Sequence, residues 1–251
     1  MINTLKILRH QGKQFIKDIT KVNLQPPFRG RPLISVEQID ENKLVNLCPV
    51  GAINSNPIQI DLGKCTFCGE CAFRFPGKIS FTTDYKISSN NKNNLIIKED
   101  ENNPIEFNSD LIRNEITSFF HGSLKLRQVS SGGDNSAELE LNAASNVNFD
   151  MGRFGIEFVA SPRHADGIVI SGPISNNMVD PLQICYNSIP DPKIIILCGA
   201  DAISGGICAD SPALNRKFLE KYTIDLYIPG NPPHPLTIIN GILELIKKRN
   251  R

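Results

Sequence analysis

The stretch "RFGIEFVASPRHADGIVISGPISNNM", residues 153–178, decides the fold of the second half of the chain. It holds two short, near-continuously apolar runs, read as strands at Gly155–Ala160 and Gly167–Ser171. Strands of that kind are buried on both faces, as in a parallel sheet. Working outward, the same signature recurs at Leu124–Val129, Lys193–Cys198 and Ile224–Ile228. Helical apolar patterns lie between Met178 and Ile189 and between Leu236 and Lys248. Strands alternating with helices predict a doubly wound α/β domain over residues 121–251, with its functional loops at the carboxyl ends of the strands.

The 251 residues are 40% hydrophobic and 21% charged, with a formal charge of +1, an ordinary globular composition with room for one large or two smaller domains. The net charge argues neither for nor against nucleic acid, and no nucleic-acid partner is expected. Its distribution is uneven. Lys6, Arg9, Lys13, Lys17, Lys21, Arg29 and Arg31 face a single acid, Asp18, in residues 1–31. Ile2, Leu5, Leu8, Phe15, Ile16 and Ile19 recur between those cations at helical spacing, so residues 1–22 read as one amphipathic helix, within a basic helix and arm of residues 1–30. Two readings stay open for it: a helix packed on its own protein, or one lying on an anionic membrane surface or a membrane subunit. There is no run of about 18 apolar residues and no signal-peptide pattern at the start, so the expected location is cytoplasmic. Seven cysteines in a reducing compartment are metal ligands or buried thiols before they are disulfides.

Residues 31–83 form a compact, cysteine-bearing segment. In "GKCTFCGECAFRFPGK", residues 63–78, Cys65, Cys68 and Cys71 have the C-x2-C-x2-C spacing of a bacterial iron–sulfur run, but Phe75 stands before Pro76 where the fourth cysteine belongs. Upstream, "NLCPVGAI" supplies Cys48 followed by Pro49. In two-cluster ferredoxins each run lends its last cysteine to the other cluster. Counting back from Cys48 by that spacing gives Gln38, Glu41 and Leu44. One crossed ligand set, at positions 38, 41, 44 and 75, is therefore wholly lost, and the other, Cys48, Cys65, Cys68 and Cys71, is wholly kept. The intact set predicts one 4Fe–4S cluster on soft thiolate ligands. Zinc sites usually come as two separated C-x2-C pairs, which this is not. Leu44 and Phe75 should fill the vacated volume.

Residues 84–120 read as a polar linker or surface excursion. "SSNNKNNLIIKEDENN" has six asparagines in sixteen residues, and "SDLIRNEITSFF" after it is a plausible short helix capped by Ser109.

Two resemblances follow. "PFRGRP" (27–32) with the cysteine repeat resembles the two-cluster ferredoxin subunit of respiratory complex I and of formate hydrogenlyase-type membrane hydrogenases, in which a basic N-terminal helix lies along the membrane arm. "GSLKLRQV", the 153–178 stretch, "PDPKIIILCGADAISGG" and "DLYIPGNPPHPLTIINGIL" resemble the small subunit of energy-converting NiFe hydrogenases. That family includes the complex I subunit carrying the last cluster before quinone. The resemblance covers about 121–245 and implies a flavodoxin-like fold, so the fold class expected is a small α+β, ferredoxin-like 4Fe–4S domain followed by a flavodoxin-like doubly wound parallel-sheet domain. It also implies a proximal 4Fe–4S cluster on four cysteines, and there the sequence departs. The four positions are Asp134 and Ala137 in "GGDNSAELE", Asp201 in "GADAISGG" and Asn231 in "PGNPP". They are expected not to bind a cluster. A rearranged cluster using Cys198 or Cys208 with carboxylates, a hard cation on Asp134, Asp201 and Asn231, and a collapsed pocket with these groups hydrogen-bonded to loop backbone are the alternatives; the last is the expectation. Cys185 reads as a buried thiol, His164 as a loop contact and His234 as structural. No Ser/His/Asp set or phosphate loop stands out.

The expected function is an iron–sulfur subunit of a membrane-associated, hydrogenase-related or complex I-like complex. Its expected partners are large-subunit-like and membrane subunits, with peripheral contact through residues 1–22 at the inner face of the cell membrane. The alternative is a scaffold in which the cluster is structural. A free ferredoxin-like carrier fits the assembly-type second half least, and catalysis by this chain alone is not expected.

Overall fold

The computed structural model describes residues 2–12 and 14–247. Lys13 of the N-terminal cation set and Lys248 at the end of the last apolar pattern lie outside the described residues. The elements run α1 (Ile2–Gln11), β1 (Pro32–Ile34), α2 (Glu41–Leu47), β2 (Ile53–Asn54), β3 (Gln59–Asp61), α3 (Glu70–Arg74), β4 (Ile79–Phe81), β5 (Ile96–Lys98), α4 (Asn114–Phe119) and β6 (Leu124–Ser130). Then follow α5 (Ser136–Ala143), β7 (Ile156–Phe158), β8 (Gly167–Ser171), α6 (Val179–Ser188), β9 (Ile194–Cys198), α7 (Ala200–Ser204), α8 (Lys217–Lys221), β10 (Leu226–Ile228) and α9 (Pro235–Leu245).

Strands β6 to β10 form one parallel sheet in the spatial order β7-β6-β8-β9-β10. Counted along the chain this is 2-1-3-4-5, one of the doubly wound orders, with its switch point between β6 and β8. All five residues of β8 and of β9 are buried. Along β9, Ile194, Ile196 and Cys198 enter one core, and Ile195 and Leu197 enter the other. That alternation is why an unbroken apolar run is needed: successive side chains point to opposite faces, and both faces are covered. One core joins the sheet to α4, α5 and α9, and the other joins it to α6, α7, α8 and the cysteine-bearing half.

That half is built of short pieces. β1 pairs antiparallel with β4, and β2, β3 and β5 form a three-stranded antiparallel sheet. β5 and the chain around it lie in the stretch read as a polar linker, and here the structure corrects the sequence. Ile96–Lys98 completes the β2-β3-β5 sheet, Leu95 and Ile97 are core residues, and Ser89 makes both backbone hydrogen bonds of an antiparallel bridge to Tyr227 on the outer edge of β10. The asparagines that suggested an excursion serve as turn and cap residues: the Asn91 side chain accepts the Asn93 N–H, and the Asn90 side chain donates to the Asn108 carbonyl and accepts the Asn108 N–H. Ser109 is not a cap either. Asn108 caps a single 3-10 turn, and α4 starts only at Asn114.

The helix expected over residues 1–22 ends at Gln11. Gly12, at φ +65°, closes it with its N–H on the Leu8 carbonyl, a left-handed C-terminal stop. Past that break the chain packs on its own protein. Ile19 is fully buried, the Tyr85 hydroxyl donates to the Ile19 carbonyl, and Arg153 donates to the Ile16 carbonyl. α1 itself buries nothing. Of the two readings left open for residues 1–22, packing on its own protein therefore holds for the chain past Gly12.

Candidate functional site

Two pockets hold the residues singled out from the sequence. The first is lined by Cys48, Cys65, Cys68 and Cys71, with Ala52, Ile53, Ile60 and Phe81 among its apolar walls. Local turns bring the four together. Cys48 ends α2, its N–H on Val45 O. Asp61 accepts the Gly63 N–H at 2.8 Å through its side chain and the Cys65 N–H at 2.9 Å through its carbonyl, which starts the Cys65 loop. Phe67 at φ +53° and Gly69 at φ +80° then reverse the chain into α3, whose first turn carries Cys71.

Two sulfurs already accept main-chain hydrogen bonds: Ala52 N–H to Cys48 Sγ and Phe67 N–H to Cys65 Sγ, each at 3.3 Å. Burial pushes the Cys65 thiol up to about 12, and the neighbouring Cys71, Cys48 and Cys68 push the same way while the Phe67 N–H opposes them. Burial likewise raises Cys71, to about 11. Thiolates crowded into an apolar pocket need positive charge among them, and a metal core supplies it by taking the protons' place. No three His, Cys, Asp or Glu side chains among the described residues converge closely enough for a single metal ion. Of the vacated set, Leu44 is fully buried and Phe75 packs half-buried in the same core, while Gln38 is exposed and Glu41 is half-buried.

The second pocket lies at the carboxyl ends of the parallel strands, at the switch point. Asp134, Ala137, Asp201 and Asn231 all line it, with Gly133, Gly172, Cys198 and Glu138. Glycine lets the two strand-end loops meet, since a Cβ on Gly172 would stand 2.5 Å from Gly133 N. Asp134 accepts from Ser136 N at 2.9 Å and Ser136 Oγ at 2.6 Å, bonds that hold its carboxyl below the usual range. Asp201 is the opposite case. Burial, then the charges of Asp134 and Glu138, push its carboxyl up, and its Oδ1 is buried without a hydrogen-bond partner. The pocket with every polar group bonded to loop backbone is therefore realised at Asp134 and not at Asp201. Its only thiol among the described residues is Cys198, which burial raises far above the ordinary cysteine value. Cys208 is exposed on the turn after α7 and does not line it. Glu138, one helical turn beyond Asp134 in "GGDNSAELE", was not singled out from the sequence; its Oε1 accepts from Ser171 Oγ at 2.8 Å.

The pockets adjoin. A Cβ on Gly63 would stand 2.7 Å from Ile203 Cγ2, so the cysteine loop packs on α7, the helix that bears Asp201. Asn231 also lines a cleft shared with Arg29 and Phe67. His234, in that cleft, accepts the Leu236 N–H at the start of α9 and is edge-on to Phe28 and Phe149, a structural role.

Residues 135–245 match the family described as NADH ubiquinone oxidoreductase, 20 Kd subunit. A probable membrane-bound hydrogenase subunit of Pyrococcus furiosus is 36% identical over 120 residues, 48% of this chain and 72% of that protein. A NADH-quinone oxidoreductase subunit of Citrifermentans bemidjiense is 38% identical over 110 residues, 44% of this chain and 64% of its own length. Among solved structures, a chain of an archaeal membrane-bound sulfane sulfur reductase complex is 30% identical, with a TM-score of 0.45 over 51% of this chain and 70% of its own.

Proposed function

Because the chain belongs to the family of the 20 kDa subunit of NADH ubiquinone oxidoreductase, we propose that it is an iron–sulfur subunit of a membrane-associated, hydrogenase- or complex I-related oxidoreductase complex. In this reading one 4Fe–4S cluster is held by Cys48, Cys65, Cys68 and Cys71, and the proximal cluster of the family is lost. The observation that carries it is the single pocket that gathers all four cysteines and already offers N–H groups to two of the sulfurs. When bound, such a cluster supplies one-electron transfer. The chain's own part is to exclude water with the apolar walls and to stabilise thiolate charge with the Ala52 and Phe67 N–H groups, which tune the potential.

The second pocket does not fit a four-thiolate cluster. It offers one thiol beside three carboxylates, whose charge would oppose a thiolate set rather than neutralise it. No electron step is routed through it. On this account residues 31–83 form the core of a ferredoxin-like unit and residues 121–251 a hydrogenase small-subunit-like one. α1 supplies peripheral contact with the membrane or a membrane subunit at the inner face of the cell membrane. Ile2, Leu5, Ile7 and Leu8 are 55–71% exposed there beside Lys6 and Arg9, and no helix among the described residues is long and apolar enough to cross a membrane. The emptied ligand set at 134, 137, 201 and 231 favours a second reading, a scaffold in which the cluster is a structural staple.

Electron paramagnetic resonance of anaerobically prepared protein, reduced with dithionite, tests the first reading. One reduced-cluster signal is expected, abolished by Cys48→Ser and unaffected by Cys198→Ser. A signal that survives Cys48→Ser sinks the crossed ligand set. A signal-silent cluster that dithionite cannot reduce favours the staple.

A further inference from the structure

The loop between Cys65 and Cys68 is held from outside by a residue the ligand pattern does not contain. Arg29 Nε donates to the Phe67 carbonyl at 2.6 Å, across 38 residues of sequence. The Arg29 side chain lies over Gly69, where a Cβ would stand 3.1 Å from Arg29 Cδ and 3.3 Å from Nε. Phe67 is 8% exposed and sits at φ +53°, a conformation a bulky aromatic residue keeps only when its surroundings enforce it. In that conformation its N–H reaches Cys65 Sγ at 3.3 Å. Arg29 is carried on firm backbone: Gly30 N–H bonds Thr82 O at 2.8 Å and Arg31 N–H bonds Asp84 O at 3.0 Å.

We propose that Arg29 is a positioning residue for the cysteine pocket: its guanidinium clamps Phe67 in the left-handed conformation that aims the Phe67 N–H at Cys65 Sγ, and so sets the reduction potential of the group the cysteines hold. The clamp stands on the geometry alone; its effect on potential rests on the cluster reading above. Both the N–H···S bond and the nearby guanidinium charge favour the more negative, reduced state, so weakening them lowers the potential. Lysine keeps the charge but lacks the fixed Nε–H fork, which separates the clamp from simple charge.

The test uses the full-length chain, anaerobically prepared, as wild type, Arg29→Gln and Arg29→Lys. Amide hydrogen exchange on a peptide spanning residues 65–69 reads the clamp. A redox titration followed by electron paramagnetic resonance reads the potential. Both variants should exchange the Phe67 amide on the order of tenfold faster, the worth of one hydrogen bond from a charged donor. Arg29→Gln should move the midpoint to more negative potential by a similar factor, about 59 mV for one electron. Unchanged exchange in Arg29→Gln overturns the clamp, and so does a shifted potential that Arg29→Lys restores in full. Wild-type chain without iron would defeat the function proposed above, while faster exchange in the variants would still establish the clamp.

Discussion

The two pockets hold the same kind of position to opposite ends. At the first, four scattered residues, 48, 65, 68 and 71, are all cysteine and are gathered by turns into an apolar chamber. At the second, four scattered residues, 134, 137, 201 and 231, are brought to one pocket by the strand ends of the sheet, and none is cysteine. The scaffold persists in both. Chemistry separates them: thiols that a positive core would relieve, against carboxylates that already repel one another, with one oxygen of Asp201 buried and unpaired. Two pockets of one chain thus carry opposite chemistry, and shape alone does not identify what a pocket binds.

Their surroundings differ as well, and that difference can be pressed. The sheet behind the second pocket is continuous and buried on both faces, whereas the half around the first rests on strands of two or three residues and a few polar ties. Lys78, 3% exposed, is one such tie, bonded to Glu99 and to the Glu37 carbonyl, each at 2.9 Å. Glu99→Ala leaves that ammonium buried without its counter-charge and should cost about 3 kcal/mol. Exchange protection should fall first at β1, β4 and β5, with β8 and β9 unaffected. Equal loss across the sheet would mean that the two halves unfold as one unit.

A smaller effect of opposite sign is expected at the second pocket. The Asp201 carboxyl is raised in the folded chain, chiefly by burial. Its stabilising contribution is thus full below the ordinary carboxylate range and is lost as pH rises through the folded value. At neutral pH the wild type carries that cost, and Asp201→Asn removes it. The variant should be more stable at pH 7 by about 1 kcal/mol, roughly 2–4 °C in Tm, with the gap closing as pH falls toward about 4. A Tm difference independent of pH would mean that Asp201 is not the strained carboxylate.

Most of the sheet was legible because unbroken apolar runs have one use. Gly167–Ser171 and Lys193–Cys198 were placed to within a residue of β8 and β9. The four cysteines that the crossed spacing singles out all line the first pocket, and that they hold a cluster is the proposal made above. What the sequence hid was long-range or sterically local. Residues 88–103 look like a linker because asparagine marks turns wherever it stands, and only tertiary pairing with β3 and Tyr227 makes them structural. The stop at Gly12 outweighed apolar spacing that continued on paper to Ile19. Arg29 is legible only as one of the N-terminal cations and as part of "PFRGRP"; its hold on a carbonyl 38 residues away leaves no periodicity to read.

The most direct test of the contrast between the pockets is iron and acid-labile sulfide per chain on anaerobically prepared wild-type protein. One filled thiol pocket and one without a cluster predict about four of each, the content of a single 4Fe–4S cluster. About eight would place a cluster among the carboxylates and contradict the account, and none would remove the cluster from the cysteine pocket.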